Sequence, residues 1–394
     1  MKIMSVNAGS SSLKFKLLNM PSEKIICYGV IEKIGDNNAI YNISFQNNKI
    51  EKKLPITNHE QAINVLLNSL IENKIINQIE EIEGIGHRIV QGGEIFKSSV
   101  ILNDQNIAQI ESLNDLAPLH NPANVLNIKL FKKILPQVLQ VGVFDTTFHQ
   151  TIKETNFLYA TPYEWYQDYK IRKYGFHGIS YQYICQRTKE IFNNQNLKMI
   201  VCHVGNGVSV SAIENGKSID TSMGFTPLEG IPMGTRSGNI DPTIIPFIAK
   251  KENKTIAEIL NILNKKSGLL GISGFSNDGR DLEKMILKKN KRAFLSFDIQ
   301  IKRLVDYIAS YYVLLKGIDL LVFTAGIGEN SSFFRKEVVK RLNVLNVFLD
   351  EKLNQQHGEK IISTTNSSFK IMIIPTNEEL VINREVYMFK NNNS

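Results

Sequence analysis

Alternating apolar and polar residues open the chain. Ile3, Met4 and Val6 form a short apolar run, Asn7 to Ser12 make a small polar turn, and Leu13, Phe15 and Leu17 then alternate with Lys14 and Lys16. A period of two puts the apolar set on one face of a strand, so residues 1–18 predict a hairpin. Residues 19–60 continue as strands joined at the polar corners Asp36-Asn37-Asn38 and Gln46-Asn47-Asn48. The period then changes to that of a helix over 60–79, where Ala62, Ile63, Leu66, Leu67, Leu70 and Ile71 share a stripe.

The second half repeats the opening. A strand runs through 199–204 into Gly205-Asn206-Gly207. Val208, Val210 and Ala212 then alternate with Ser209 and Ser211, and Asn215-Gly216 signals a hairpin turn. Two such elements, about 195 residues apart, predict a duplicated domain core in an α/β protein. Residues 243–266 and 282–316 read as helices. Residues 319–330 read as a buried strand delivering Gly326-Ile327-Gly328, and 371–380 as a buried strand followed by a helix that Glu378 and Glu379 open. The stretch 224–242 has neither period, is rich in Gly and Pro, and carries Arg236 at its middle. Ordered loops of that length usually carry function.

With 394 residues there is room for two or more domains. No apolar run reaches the roughly 18–20 residues that span a bilayer, and the N-terminus turns polar at Asn7, too early for a signal peptide. The three cysteines have no CxxC spacing, which argues against a zinc site and for a reducing compartment. A cytoplasmic protein without membrane partners is expected. The net charge of +8 comes from scattered lysines and suits small anionic ligands better than nucleic acid.

Several polar groups stand where chemistry could occur. The Gly-Ser turn after Asn7 exposes N–H groups and hydroxyls that attract anions, and Lys14 could reach a phosphate held there; an ordinary edge hairpin is the alternative. Neither a GxxxxGK[ST] loop nor a full GxGxxG fingerprint is present. Arg88, near Gly92-Gly93, could clamp a carboxylate or phosphate in bidentate fashion, or simply end a strand. His120 precedes a proline turn, where histidine is more often structural. Asp145 ends an apolar strand, a place from which acids often face a ligand crevice. His177 lies between two glycines, and five of the seven histidines fall within residues 87–203. Glu378 opens a helix either as a dipole partner or as a metal-linked acid.

Taken together, NAGSSSLK, GHRIVQGGE, LAPLHNP, VFDTTFHQ, RKYGFHG, HVGNG, GFTPLEG with MGTR, SNDGRDL, FTAGIGEN and PTNEEL resemble the motifs of the acetate kinase family, in order and along essentially the whole chain. The resemblance implies two duplicated actin-like (ribonuclease H-like) domains with a nucleotide cleft between them. Their bounds would be 1–146 plus 379–394, and 147–378. It implies transfer of the ATP γ-phosphoryl group to acetate, reversibly, with Mg²⁺ (or Mn²⁺ in its place), and a homodimer. By the same resemblance Arg88, Asp145, His177 and Arg236 are catalytic. Val90, Leu119, His120, Phe176 and Pro227 join Arg88 in binding acetate. Ser10, Ser12 and Lys14 face the phosphates, His203, Val204, Gly205, Asn206 and Gly207 form a nucleotide-phosphate loop, and Asp278, Gly279 and Arg280 with Gly326, Ile327, Gly328, Glu329 and Asn330 hold adenosine. Asn7 and Glu378 attend the metal. The chain departs from the family pattern at Gln91, Thr147, Ile179, Tyr181, Val208 and Gly279.

Acetate is ionised at pH 7 and needs no general base to attack phosphorus. Asp145 is therefore expected to position a cation rather than to shuttle a proton. A kinase for a longer acid, and an actin-like assembly or chaperone protein, are the rival expectations. Retention of Arg88, His177 and Arg236 speaks against the second.

Overall fold

The computed structural model describes residues 1–194 and 196–392. It divides into two compact units, residues 1–148 with the C-terminal stretch from Asn377, and residues 149–376. These boundaries lie two residues from those expected. Glu378 thereby joins the first unit, because the helix it opens, Glu378–Asn392, packs on that unit's sheet.

The first unit is built on an eight-stranded sheet. Its strands are β1 (Lys2–Ala8), β2 (Ser12–Asn19), β3 (Lys24–Glu32), β4 (Asp36–Phe45), β5 (Asn48–Ile56), β6 (Ile82–Ile89), β7 (Val100–Ile101) and β8 (Leu139–Phe144), in the order β5-β4-β3-β2-β1-β6-β8-β7. β1 to β5 form an antiparallel meander. β6 and β8 run parallel to β1, and β7 closes the edge antiparallel to β8. The helices His59–Glu72 and Asn121–Ile134 supply side chains to the core on the sheet that includes Met4, Val6, Leu13, Phe15 and Ile85. A strand covered on both faces needs a near-continuous apolar run, and β1 has one.

The second unit has six strands: β9 (Lys198–Val204), β10 (Val208–Glu214), β11 (Lys217–Thr221), β12 (Leu320–Thr324), β13 (Lys360–Ile361) and β14 (Lys370–Ile373), in the order β11-β10-β9-β12-β14-β13. β9, β10 and β11 are antiparallel, β12 and β14 run parallel to β9, and β13 is antiparallel to β14. That is strand for strand the order and sense of β3-β2-β1-β6-β8-β7. The duplication expected from two hairpins extends to the whole core, and β4 and β5 are the addition that distinguishes the first copy.

Two expected helices are each broken in two. Residues 243–266 form Ile244–Glu252 and Ile256–Lys265, separated where Asn253 takes φ 50° and Thr255 caps the next helix in a capping box with Glu258. Residues 282–316 fall into Gly279–Leu287 and Lys291–Leu314, because Lys289 turns left-handed and Asn290 accepts from Ala293 N–H. The helix expected over 60–79 stops at Glu72.

The C-terminal helix lies close on β6. A Cβ on Gly86 would stand 2.3 Å from Ile382 Cγ2, and one on Gly84 2.5 Å from Val386 Cγ1. Gly86→Ala is expected to destabilise the first unit by about 1–3 kcal/mol, through overpacking, measured as a lowered urea midpoint.

Of the four histidines buried among the described residues, His87 and His149 lie deepest. His87 Nε2 donates to Gln140 Oε1 at 2.9 Å, and His149 Nε2 donates to the Phe176 carbonyl at 3.0 Å. Burial pushes both imidazoles down from 6.5 to about 4. Their folded values are depressed, so their contribution is complete above pH 6.5 and is lost as pH falls toward 4. At about 1.4 kcal/mol per pH unit each, stability measured by denaturant titration should fall steeply across that window. In the variant His87→Gln the slope should be shallower.

Candidate active site

In the first unit the functional groups gather at the C-terminal ends of the parallel strands. Asn7 is the penultimate residue of β1 and pairs in register with Lys14 on β2, which puts both side chains on one face. The turn between them is fixed: Gly9 N–H donates to the Ser12 carbonyl at 2.8 Å, and His59 Nε2 lies 3.2 Å from the Ser10 carbonyl. Ser10 and Lys14 are exposed, and Ser12 and Asn7 half-buried.

Arg88 sits at the end of β6 and Asp145 directly after β8. The guanidinium grips the carboxylate with two bonds, Nε to Oδ1 at 2.9 Å and Nη2 to Oδ2 at 2.6 Å. Asp145 is buried, and its N–H donates to the Ile89 carbonyl. Burial opposes the Arg88 charge, but Asp145, Glu378 and Glu379 outweigh it and hold its pKa above the usual value. Glu378 answers to the same field in reverse. Burial first, then Asp145 and Glu379, push its carboxyl up to about 7 against the pull of Arg88 and Lys14. Glu379 also pairs with Lys16 at 3.1 Å.

Among the described residues no group of three or more His, Cys, Asp or Glu is placed to hold a metal ion. A half-buried acid whose charge is opposed by burial and by two neighbouring carboxylates nonetheless suits a hard cation, which takes oxygen ligands and needs only one or two from the protein when phosphates supply others.

Val90 is half-buried, its N–H donating to Asn124 Oδ1 at 3.2 Å, and Leu119 is 59% exposed beside a half-buried His120. Asn121 and Asn124 hold this segment. Asn121 bonds Gln91 N–H and C=O, and Asn124 Nδ2 donates to the Ala8 carbonyl.

In the second unit the turn Gly205-Asn206-Gly207 follows β9 as Gly9 to Ser11 follows β1. Gly205 N–H donates to the Gly207 carbonyl at 3.0 Å, and Gly234 N–H to the Asn206 carbonyl at 2.9 Å. His177 has φ 59° and caps the helix Gly178–Phe192. Its ring stacks on His203 at 4.0 Å. A Cβ on Gly207 would lie 3.2 Å from His177 Nε2 and 3.7 Å from Arg236 Nη1, so a glycine there leaves open the space that both side chains border. The loop 224–242 is irregular but well bonded: Phe225 N–H donates to Tyr159 Oη, whose hydroxyl bonds Glu229, and Gly230 N–H donates to Asn239 Oδ1. Pro227 is half-buried in it.

Beside the turn is a cavity of about 720 Å³, within the size range of small-molecule sites. Gly205, Asn206, Asp278, Gly279, Arg280, Gly326, Ile327 and Asn330 all line it. Other expected groups lie elsewhere. Val204 is fully buried and His203 nearly so. Gly328 backs onto Phe323 and Cys202, and Glu329 turns its carboxylate to Ala325 N–H and Thr376 N–H at 2.8 and 3.1 Å. Phe176 is only 2% exposed, so its ring offers little surface to a ligand. The cavity also brings in Asn277, Glu283 and Ser331, which the sequence did not single out. Glu283 stands one helical turn after Gly279 and could have been found by that spacing; Ser331 caps the next helix and gave no such signal.

Anion-attracting turns at the same point of two copies of one core, with cationic side chains near both and no evident nucleophile, suit transfer of a phosphoryl group between bound partners. The fold and site thus define a two-domain α/β phosphotransferase. Comparison gives the family. Residues 2–384 match the acetokinase family, and the chain belongs to it. It is 66% identical over 391 residues to the acetate kinase of Phytoplasma mali, covering 99% of this chain and 100% of that one. Among solved structures, the acetate kinase of Porphyromonas gingivalis superposes with a TM-score of 0.93 at 39% identity, covering 99% of both chains. A propionate kinase from Francisella tularensis gives 0.94 at 41%, covering 98% of this chain and 99% of that one.

A Cβ on Gly326 meets nothing within 4 Å, so a side chain there would project without collision. Gly326→Leu should therefore occupy the cavity and weaken ADP binding at least about tenfold, or 1.4 kcal/mol, in titration calorimetry, with the melting temperature unchanged.

Proposed function

We propose that the chain transfers the γ-phosphoryl group of ATP to acetate, giving acetyl phosphate and ADP, and catalyses the reverse. In the forward step an acetate oxygen attacks the γ-phosphorus as the bond to the β,γ-bridging oxygen breaks, in line. The observation that carries the reading, beside the family match along the chain, is the bidentate Arg88–Asp145 pair. The carboxylate occupies the Nε and Nη2 edge, which fixes the plane of the guanidinium and turns its other edge to a ligand. An Asp145 so engaged is a poor proton shuttle, and none is needed, since acetate is already an anion.

The work left to the protein is to hold two anions together and to neutralise charge on the moving group. In this reading Arg88, Lys14, His177 and Arg236 do so, Ser10 and Ser12 face the phosphates, and the 720 Å³ cavity takes adenosine. Asn7 and Glu378 would hold Mg²⁺, which when bound neutralises phosphate charge. Val90, Leu119 and Pro227 would meet the methyl group.

The Francisella structure favours a second substrate, propionate. One methylene is worth about 1–3 kcal/mol of discrimination, so propionate should react slowly but measurably. A homodimer belongs to the same reading. It is supported by the helix Ile244–Glu252, which buries none of its residues and leaves Ile244 and Phe247 44% and 60% exposed. A cytoplasmic setting is supported by three free cysteines; among the described residues no helix is long and apolar enough to cross a membrane.

The test is hydroxylamine trapping of acyl phosphate made from ATP and Mg²⁺ with acetate, propionate or butyrate. Acetate should lead, and butyrate leading would overturn the substrate. Bound ATP with no acyl phosphate from any acid would shift the weight to a nucleotide-driven assembly protein. Arg236→Ala should lower kcat by about 10³-fold or more, as loss of an arginine from phosphoryl transfer does. A wild-type rate would remove Arg236 from the mechanism.

A further inference from the structure

Behind His177 lies a short row of buried hydroxyls. Ser209 Oγ stands 2.8 Å from His177 Nδ1 and 2.5 Å from Tyr181 Oη. Ser209 and Tyr181 are both fully buried, one on β10 and the other in the first turn of the helix that His177 caps. Tyr181 packs edge-on against His149 at 5.5 Å, which holds its ring in place.

We propose that Tyr181 and Ser209 are positioning residues that fix the proton of His177 on Nε2, so that the imidazole faces the phosphoryl group as a hydrogen-bond donor. This rests on the reading of His177 given above. A serine hydroxyl has one proton to give and two lone pairs. Burial pushes the Tyr181 phenol well above its usual pKa, so it keeps its proton. With that proton given to Ser209, the serine's own proton is left for His177 Nδ1. An imidazole that accepts at Nδ1 carries its hydrogen on Nε2. Nε2 is the atom nearest the position a Gly207 Cβ would take, on the side where Arg236 also stands.

The same device occurs nearby in a form that leaves no choice. His149 Nε2 meets the Phe176 carbonyl, which can only accept, and its Nδ1 lies 2.8 Å from Ser218 Oγ. Ser218 must therefore donate to Nδ1. His177 differs in that its Nε2 lies beside Gly207, on the side where Arg236 stands.

The reversed row is the competing arrangement: Nδ1–H to Ser209, Ser209 to Tyr181, and Tyr181 to Thr221, also a hydrogen-bond partner of the phenol. It would leave Nε2 a bare acceptor, repelled by a phosphoryl oxygen.

Nitrogen-15 spectra of the histidine-labelled full-length protein decide between them, with the His177 signals assigned by their loss in His177→Gln. The wild type should show Nε2 protonated and Nδ1 accepting, and Ser209→Ala should abolish that preference. Ser209→Ala should also lower kcat about tenfold, the effect of one hydrogen bond, with KM for both substrates within about twofold. Tyr181→Phe should act in the same direction and Ser209→Thr should restore activity. In a His177→Ala background Ser209→Ala should have no further effect.

A wild-type His177 protonated on Nδ1, or an equal loss from Ser209→Ala with His177 present and absent, would overturn the proposal. If the wild type made no acyl phosphate, the functional reading would fail, while the spectra would still decide the row.

Discussion

Covering a strand on both faces leaves its end as the place where polar chemistry can sit. β1 and β9 are both near-continuously buried, and each stops at a turn of small polar residues. Turn N–H groups that no neighbouring strand takes are left to face anions. The strands parallel to them end in the same direction. Arg88 closes β6, Asp145 follows β8, Gly326 follows β12, and Glu378 comes five residues after β14. These candidate groups are therefore strand-end groups, and their positions follow from strand order, whereas His177 and Asp278 stand at helix starts and Arg236 in a loop. Two copies of one order yield two such sets, and each copy has diverged in its loops: the first carries the acids and Lys14, the second His177, the loop with Arg236 and the cavity.

Within the first set the charges depend on one another. Removing one member of a buried, hydrogen-bonded ion pair leaves the other uncompensated, which costs several kcal/mol. Arg88 is flanked by Asp145, Glu378 and Glu379, so one guanidinium faces three carboxylates. Burial first, and then the neighbouring carboxylates, raise Glu378, and added positive charge would relieve it. The raised carboxyl, the cation-accepting character of the group and the fixed plane of Arg88 are thus one electrostatic arrangement seen at three residues.

Most of this was legible because strand and turn patterns are local. The period-two runs at 13–17 and 208–212 and the glycine turns before them can be read from a few residues, and the duplication follows from setting them side by side. What was not legible depends on residues distant in sequence. Glu329 lies among motif residues, yet its carboxylate is taken by Ala325 and Thr376 N–H groups, a contact fixed only when β12 and β14 align. The burial of Phe176 is likewise set by packing. The helix breaks at Asn253 and Lys289 are different: their cap signals, Thr255 with Glu258 and Asn290, were present in the sequence and were outweighed by the apolar stripe on either side.

Two departures from the family pattern become intelligible through the volumes around them. Tyr181 is fully buried and its hydroxyl meets Ser209 Oγ, so the phenol fills interior space with its polar end hydrogen-bonded. Gly279 works by subtraction. A Cβ there would come within 3.1 Å of Ile327 Cδ1 and Cγ1 and 3.5 Å of the Phe297 ring. Ile327 lines the cavity and belongs to the short helix Ala325–Asn330, so it could give way only into the cavity. A larger residue at 279 and isoleucine at 327 therefore compete for one volume. With glycine at 279, Ile327 is the apolar side chain on that wall of the cavity.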